Sequence, residues 1–435
     1  MRTILISIFL LLSFTSIVAQ NLSLEQVDKQ TYDSFFNKDY KTTIQIGNDA
    51  LKQGIDFYFL RYRLGVSYYE NKNFEKAITH FEKAKSLDAS DPVLLEYLYY
   101  SYLFAGRNEQ ANILAATFSE ELKTKIKYKP TLFKSVSLET GMLFTDNFDT
   151  FKNLDLKSGN SSGKGTFYTD VLFGNIQVSN QFSPKFKLQN IFSYVSNTSN
   201  DIIQVTVPNT KNDVFTNKSN YFQWNAIASY FVKNWTINGG FGYYNSSYTY
   251  YASPIQRPGF PPRPLAASTA NTSNFSGSVS LSKRFKYIEP SLGVSYTNLQ
   301  SSNTISTEAS LTYYPFGNTK FYGNSKLGFV SNANDNNSIF TQLLGVQISK
   351  KIWLEGFGAF GNHQSYISDN GLQVFNTPNQ INWYAGSNLN FYFKKIDFSL
   401  GYGIQERESS YLSGQNEIKY NYNYNLIKTK IVWKF

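Results

Sequence analysis

Apolar and polar residues alternate one by one through most of the chain beyond residue 130. In the segment 381–393 apolar side chains occupy one face and polar side chains the other, and the segment 396–404 repeats the pattern. A period of two is typical of β-strands, because successive side chains of a strand point to opposite faces of the sheet. The pattern therefore predicts a series of strands, each with one apolar and one polar face.

The lengths of these segments and of their connections favour a transmembrane barrel over a soluble sandwich. The segments run 12 to 16 residues, which is longer than most globular strands and long enough for a tilted span. Short turns such as Lys233-Asn234 alternate with long loops, as in bacterial outer-membrane barrels. The long loops are predicted near 145–165, 198–218, 247–272, 363–379 and 407–419.

Counting the segments predicts 14 strands, and the even number places both ends of the barrel on the periplasmic side. The first, second and fourth segments alternate least clearly, so totals of 12 and 16 stay open. We predict an antiparallel barrel over residues 128–435, surrounded by outer-membrane lipid. The predicted strands begin near 132, 166, 185, 219, 234, 273, 286, 303, 318, 337, 351, 380, 396 and 420.

The sequence before the predicted barrel repeats with a period of 34 residues. Units begin at Leu24, Tyr58 and Pro92, and the central unit follows the pattern most strictly, while Gly106 is predicted in the helix–helix turn of the last. In the central unit, large and small residues recur at positions 7, 8, 11, 20, 24 and 27, namely Leu64, Gly65, Tyr68, Ala77, Phe81 and Ala84.

This spacing resembles the tetratricopeptide repeat (TPR), in which small residues let two antiparallel helices approach and large ones fill the space between them. An unrelated helical hairpin domain is the alternative. The resemblance implies an α-solenoid over residues 20–127 that binds a protein segment, here a periplasmic partner. The fold class is therefore predicted as α + β multidomain, with a TPR-like solenoid followed by a barrel of about 14 strands.

Residues 1–19 are predicted to be a secretory signal peptide. Arg2 precedes an almost wholly apolar run from Ile4 to Phe14, and Ala19 is a small residue at the expected cleavage site. A membrane anchor is the alternative, but the run is short for a spanning helix of about 20 residues. We therefore expect export, with the helical domain in the periplasm.

The last residues of the chain alternate with an apolar residue at the very end. Ile431, Trp433 and Phe435 share one face, and Lys430 and Lys434 lie on the other. A terminal Phe with this alternation resembles the signal that the outer-membrane barrel assembly machinery recognises. The resemblance implies that this machinery is a partner of the chain.

Composition and charge narrow the classes of function. The chain has no Cys and two His residues, so we predict no metal site and no cofactor. Of the formal net charge of +10, the helical segment carries little: residues 20–127 hold 14 Lys+Arg and 15 Asp+Glu. Residues 128–435 hold 26 Lys+Arg and 16 Asp+Glu. Much of this excess of positive charge falls in predicted short turns, where it can meet anionic lipid head groups. We therefore predict no nucleic-acid binding.

Charged residues on the polar strand faces are the candidates for a site in the lumen. They either brace the lumen through ion pairs or form a charged constriction that selects solutes. A Pro-rich stretch within loop 247–272 is either a solvated loop or a lid over the pore. The candidate lumen residues are Glu139, Asp170, Glu289, Glu308, Glu355, Lys187, Lys326, Lys428 and Lys430.

Catalysis is predicted to be absent, and no catalytic residue is assigned. His363 is the one His in the barrel region, with Ser365 and Asp369 close to it in sequence. Such a combination could serve a hydrolase, but loops rich in Ser, Asn and Asp contain it by chance. A barrel hydrolase is therefore the third of three hypotheses.

The layout of TPR repeats before a barrel resembles outer-membrane proteins that export exopolysaccharide, and the Asn/Tyr/Phe-rich strands look like those of Bacteroidota. The resemblance implies a channel or exporter whose TPR domain docks a periplasmic protein. The alternative is a non-conducting anchor that recruits periplasmic proteins through its repeats. The sequence does not indicate the solute.

Overall fold

The computed structural model describes residues 22–156, 163–207, 209–251, 267–301, 303–332 and 336–435. The chain divides into two compact units, Met1–Leu103 and Phe104–Phe435. The predicted signal peptide and the Pro-rich stretch in loop 247–272 lie outside the described residues. Among the residues that the structure describes, no helix combines the length and the apolar character needed to cross a membrane.

The first unit consists of helices, and polar side chains cap the starts of several of them. Ser23 and Gln26 form a capping box at the first helix, and the side chains of Asp39 and Asn73 accept from backbone amides at the second and fourth. The helices are α1 (Leu24–Phe36), α2 (Tyr40–Lys52), α3 (Tyr58–Glu70), α4 (Phe74–Leu87) and α5 (Pro92–Phe104), the last of which ends in the second unit.

The central pair, α3 and α4, packs as the 34-residue spacing predicts. A Cβ on Gly65 would lie 2.4 Å from a ring carbon of Phe81, so the absent side chain is what lets the ring reach the facing helix. Leu64, Ala77, Phe81 and Ala84 are fully buried. His80 stacks on Tyr68 with ring centroids 5.3 Å apart. The predicted packing residues thus form the core of this repeat.

Two further helices belong to the same compact unit as the barrel. They are α6 (Asn108–Ala116) and α7 (Glu120–Lys125), and the turn before α6 contains Gly106 with φ of +76°. The third predicted repeat is therefore split between the two units, because its turn is bonded to the barrel by Arg107 and Arg284. The domain boundary after residue 127 stays a prediction.

The second unit is a closed antiparallel barrel of 14 strands, as predicted. Each strand pairs with its neighbours in the chain, and β1 pairs with β16 to close the barrel. Two short strands, β12 (Tyr366–Ser368) and β13 (Gln373–Phe375), form a separate hairpin. The barrel strands are β1 (Phe133–Phe144), β2 (Gly163–Ser183), β3 (Phe186–Val207), β4 (Asn209–Val232), β5 (Trp235–Tyr251), β6 (Ala267–Lys283), β7 (Ile288–Thr297), β8 (Thr304–Tyr313), β9 (Phe321–Asn332), β10 (Asn336–Ser349), β11 (Ile352–Phe360), β14 (Gln380–Tyr392), β15 (Ile396–Ser413) and β16 (Asn416–Lys434).

The prediction of long loops at 198–218 and 407–419 is wrong. The segments 198–218 and 407–419 are largely the upper parts of hairpins, in which Val207 pairs with Asn209 and Ser413 pairs with Asn416. Their polar-rich sequences suggested loops because the alternation is irregular there, as at the adjacent apolar residues Ile202 and Ile203. Backbone pairing nevertheless continues there, since two strands already in register gain a hydrogen bond with each further pair.

The two faces of the barrel wall differ as the alternation predicts. Large apolar side chains point outward and are exposed, such as Leu292 (68%), Val279 (57%) and Leu172 (56%). Such an outward apolar band is typical of transmembrane barrels. Polar side chains line the interior, and a short helix, α8 (Asn147–Phe151), lies in the loop after β1.

Candidate functional site: the barrel lumen

The loop that joins β11 to β14 folds into the barrel and crosses its lumen. It contains the β12–β13 hairpin, and its tip, Asp369–Gly371, contacts β4, β5 and β6 on the opposite wall. There the side-chain amide of Asn370 donates to Ser280 Oγ at 2.9 Å. We call residues 366–375 the plug. The sequence predicted this stretch as a long loop but not its place in the lumen.

The opposite wall is lined with residues small enough to receive the tip. A Cβ on Gly240 would lie 2.4 Å from the backbone oxygen of Asn370, so only glycine permits this approach. The tip itself turns through Gly371, whose φ is +97°. We call this surface the plug seat; it consists of Gly240, Ser278 and Ser280.

Glu308 on β8 accepts hydrogen bonds from three plug residues. The donors are the Tyr366 hydroxyl, Ser368 Oγ at 2.5 Å and the backbone N–H of Asp369 at 3.2 Å. The carboxylate of Glu308 is therefore the main polar contact between the barrel wall and the plug. Hydrogen bonds to a charged group are the stronger kind.

Lys326 on β9 joins the same cluster from the neighbouring strand. Its ammonium group donates to Ser368 Oγ at 2.8 Å and to the Asp369 carboxylate, and lies 3.7 Å from Glu308. The side chain is buried, with 7% exposed. A buried cation is stable only when paired, and here two carboxylates surround it. We call Glu308, Lys326 and Asp369 the latch.

Apolar contacts hold the other side of the plug. The rings of Tyr366 and Phe375 stack across the hairpin at 5.8 Å, and both pack on Val330 and Ile339 of the wall. His363 is fully buried beside them, with Phe375 at 5.0 Å between ring centroids. Its Nδ1 contacts the carbonyl oxygen of Ile381 at 3.3 Å.

Two of the three residues considered for a hydrolase, Asp369 and His363, make other contacts. Asp369 pairs with Lys326, and the His363 ring packs among aromatic rings of the plug and of β14. Ser365 has a φ of +53° and is buried. The prediction that the chain is not an enzyme is not tested by these contacts.

Beside the plug, the lumen retains open space. One cavity of about 440 Å³ lies between the plug strand β13 and the wall formed by β1, β2, β10, β11 and β14–β16. A second cavity of about 280 Å³ reaches Asp397 at the short-turn end of β15. The two share Glu139, Asn388 and Lys428 in their linings, so they adjoin.

Four of the nine predicted lumen residues meet at these cavities. Glu139 lies 4.0 Å from Lys428 and 3.7 Å from Lys430. Glu355 accepts from the Tyr322 hydroxyl at 2.5 Å and from Asn390 at 2.9 Å. The charges are balanced, with two carboxylates and two ammonium groups. They are half-buried and remain accessible from the cavity.

The remaining candidates lie elsewhere. Glu308 and Lys326 belong to the latch, and Glu289 accepts from Ser282 near the short-turn end. Lys187 pairs in register with Ser229, away from both clusters. Asp170 falls where β2 shifts register against β3, and its side chain is exposed. Sequence alternation thus located charged wall positions but could not tell which of them meet.

The C-terminal segment closes the barrel. Leu138 on β1 pairs with Ile431, Val136 pairs with Trp433, and the Phe435 amide donates to the carbonyl of Lys134 at 3.1 Å. The Phe435 side chain is 69% exposed and Trp433 is 38% exposed. The terminal aromatic side chain is therefore free of the barrel interior. Its recognition by the assembly machinery stays a prediction.

Comparison with known protein families supports the central repeat. The tetratricopeptide repeat family matches residues 58–91, the central unit of the sequence pattern. A comparison with curated proteins gives no significant match.

Among solved structures, the toluene transporter TodX of P. putida is similar at 5% identity, with a TM-score of 0.46, over 73% of this chain and 95% of that one. A FadL homologue of Pseudomonas aeruginosa is similar at 8% identity and a TM-score of 0.42, over 69% and 90%. The translocator domain of the autotransporter NalP of Neisseria meningitidis is similar at 9% identity and a TM-score of 0.32, over 76% and 96%. At these values the similarity carries no information about the solute.

Proposed function

We propose that this protein is an outer-membrane channel for small solutes, with its TPR domain in the periplasm docking a partner protein. The observation that supports conduction is the pair of adjoining cavities beside the plug. They extend from the plug to the short-turn end and bring Glu139, Glu355, Lys428 and Lys430 to one space. A barrel that serves only as an anchor needs no such opening, since its lumen can be filled by side chains.

The dimensions of the open space limit the solute while the plug is in place. A cavity of about 440 Å³ accommodates a small molecule. Export of a polymer such as an exopolysaccharide would require the plug to leave the lumen. The structure with the plug in place therefore supports a channel for small solutes. An exporter of polymers would need the additional step of plug removal.

An exposed aromatic patch on the first unit supports the docking part of the proposal. Phe36 is 72% exposed, Phe59 is 58% exposed and Tyr32 is 51% exposed. The Arg63 guanidinium lies 5.4 Å from the Tyr32 ring and 5.7 Å from the Phe59 ring, so the patch spans α1 and α3. Exposed aromatic side chains with an adjoining Arg are typical of protein interfaces. We propose that an apolar segment of a periplasmic protein covers this patch.

Conductance in planar bilayers tests the channel. We expect single-channel currents whose ion selectivity shifts toward cations in the variant K428Q/K430Q, because two positive charges leave the path. The matched control is K394Q/K395Q, two lysines in the turn between β14 and β15 outside the cavities. Absence of current in the native protein and in every variant that opens the lumen would support the non-conducting anchor instead.

Capture of partners from envelope extract tests the docking. The full-length protein is expected to retain a specific protein that the variant F36S/F59S loses. The control variant L87S changes an apolar residue that is 50% exposed at the end of α4. Equal capture by all three forms would exclude this patch as the docking surface.

A further inference from the structure

We propose that the plug is a displaceable gate, and that the pairing of Lys326 with the two carboxylates of the latch keeps it closed. The inference builds on the channel proposal but concerns a movement that can be measured without conductance. It assigns to Glu308, Lys326 and Asp369 a regulatory role in place of the solute selection considered for Glu308 and Lys326.

The plug can move as a body because its own contacts hold it together. Three residue pairs join β12 to β13, and the Tyr366 and Phe375 rings stack across them. The segments that connect it to the wall contain Gly361, with φ of +114°, and Pro378. Small residues such as Gly361 are common at hinges, whereas the fixed φ of Pro378 makes the second connection stiffer.

Polar contacts with the wall are few and concentrated at the latch. The tip is held on the plug seat by the bond from Asn370 to Ser280, and at the latch three plug donors converge on Glu308. Apolar packing of Ile367 and Val374 on Tyr244 and Leu299 adds to this. Loss of the latch therefore removes most of the directional contacts.

The latch carries a net charge of −1, from two carboxylates and one ammonium group. Lys326 lies between Glu308 on the wall and Asp369 on the plug, so it joins two groups that repel each other. Without this ammonium group, two carboxylates would face each other across the plug–wall boundary at low effective dielectric. The plug would then leave the seat. Removing one carboxylate as well would restore the original net charge and the closed state.

Thiol labelling tests the gate directly, because the chain has no native Cys. The reporter is the substitution S280C, at a seat position 8% exposed and bonded to the plug tip. The rate of reaction with a small charged maleimide is measured on the folded full-length protein in lipid. The control reporter is S399C, which lines the second cavity away from the plug.

In the S280C background, K326M should react about tenfold faster or more, as expected when a buried charge pair is broken. K326M/D369N should return toward the original rate, although it removes a further plug–wall contact. E355Q, which removes another hydrogen-bonded lumen carboxylate, should leave the rate unchanged. At S399C the native latch, K326M and K326M/D369N should react alike.

Equal rates for the native latch and K326M at S280C would overturn the gate. A labelling rate of K326M/D369N equal to or above that of K326M would also overturn it. That result is expected if the latch side chains contribute packing alone and not charge. If K326M fails to fold, E308Q takes its place and should react faster than the native form, since a glutamine has one acceptor oxygen where the carboxylate has two, and its NH2 group cannot accept from a plug donor. Labelling that follows this pattern without current in any form would support the gate and contradict the channel.

Discussion

Arg107 donates a hydrogen bond to the backbone of the segment that contains Arg284. Arg284 in turn donates one to the backbone of the segment that contains Arg107. Arg107 Nη2 lies 3.0 Å from the carbonyl oxygen of Phe285, and Arg284 Nη2 lies 3.2 Å from that of Ala105. The Arg284 guanidinium also lies 3.7 Å from the centroid of the Tyr314 ring, and both arginines are buried. The exchange bonds the turn before α6 to the short-turn end of the barrel.

Substituting both arginines should release α6 from the barrel. We expect R107A/R284A to raise the rate of amide hydrogen exchange in residues 108–116, because each lost charged donor costs about 1.5–3 kcal/mol. Either single variant should show much of the effect, since one bond alone holds the turn less firmly. Mass spectrometry of exchanged peptides measures this.

The control is K350A, which removes a basic residue from another short turn. Its exchange in α6 should equal that of the native protein. Equal exchange in R107A/R284A would show that apolar contacts, and not the reciprocal bonds, fix this turn.

Gly65 should be intolerant of any side chain because of Phe81. We expect G65A to destabilise the first unit by about 1–3 kcal/mol, the usual cost of an overpacked core. The additional replacement F81L should recover part of the loss by moving the ring atoms away. Thermal unfolding followed by circular dichroism at 222 nm reports the helices. A G65A/F81L variant less stable than both single variants would contradict the steric explanation.

Phe435 should affect assembly in the cell without affecting the folded barrel. Its side chain is exposed and its backbone amide alone bonds to β1. We expect F435S to reduce the folded fraction in cell membranes severalfold, with unchanged refolding into detergent, as judged by heat-modifiable gel mobility. The control is F182S, an exposed Phe at the short-turn end of β2. A similar loss in F182S would point to general surface hydrophobicity.

Alternation and spacing were sufficient to predict the wall of the barrel and the central repeat. Each depends on local periodicity, which shows within a run of about nine or more consecutive residues. Leu64, Gly65 and Phe81 were predictable for the same reason, because their roles follow from positions within one 34-residue unit. The hairpin tops were missed where polar residues on both faces remove the periodic signal.

The plug was not predictable because it depends on contacts between residues far apart in sequence. Glu308 and Lys326 were selected as wall charges, but Asp369 lies in a loop without any period, and 61 residues separate it from Glu308. The serines at 276, 278, 280 and 282 alternate with other residues, which is typical of a polar strand face. Its small side chains, together with Gly240 opposite, were the one local signal that something else fills this part of the lumen.

Gly240 provides a steric test of the plug that leaves the latch charges intact. A valine there should prevent the tip from seating, because its Cβ would lie 2.4 Å from the oxygen of Asn370. We expect G240V to speed labelling at S280C and to raise the open probability of the channel. The added Cβ would also lie 2.3 Å from Ser278 Oγ on the neighbouring strand. The barrel itself should remain stable, because that hydroxyl can rotate away and β-branched residues suit strands.

Gly239, the next residue on the same strand, supplies the matched control. A Cβ there meets no atom within 4 Å, because the position faces outward. G239V therefore makes the same chemical change on the opposite face and should leave labelling and open probability as in the native protein. If G240V and G239V behaved alike, the tip would not rest on this seat. An effect of G240V on open probability that persisted in a form whose plug is cross-linked to the wall, through S280C/N370C and a short bismaleimide, would show that the valine acts on the wall and not on the plug.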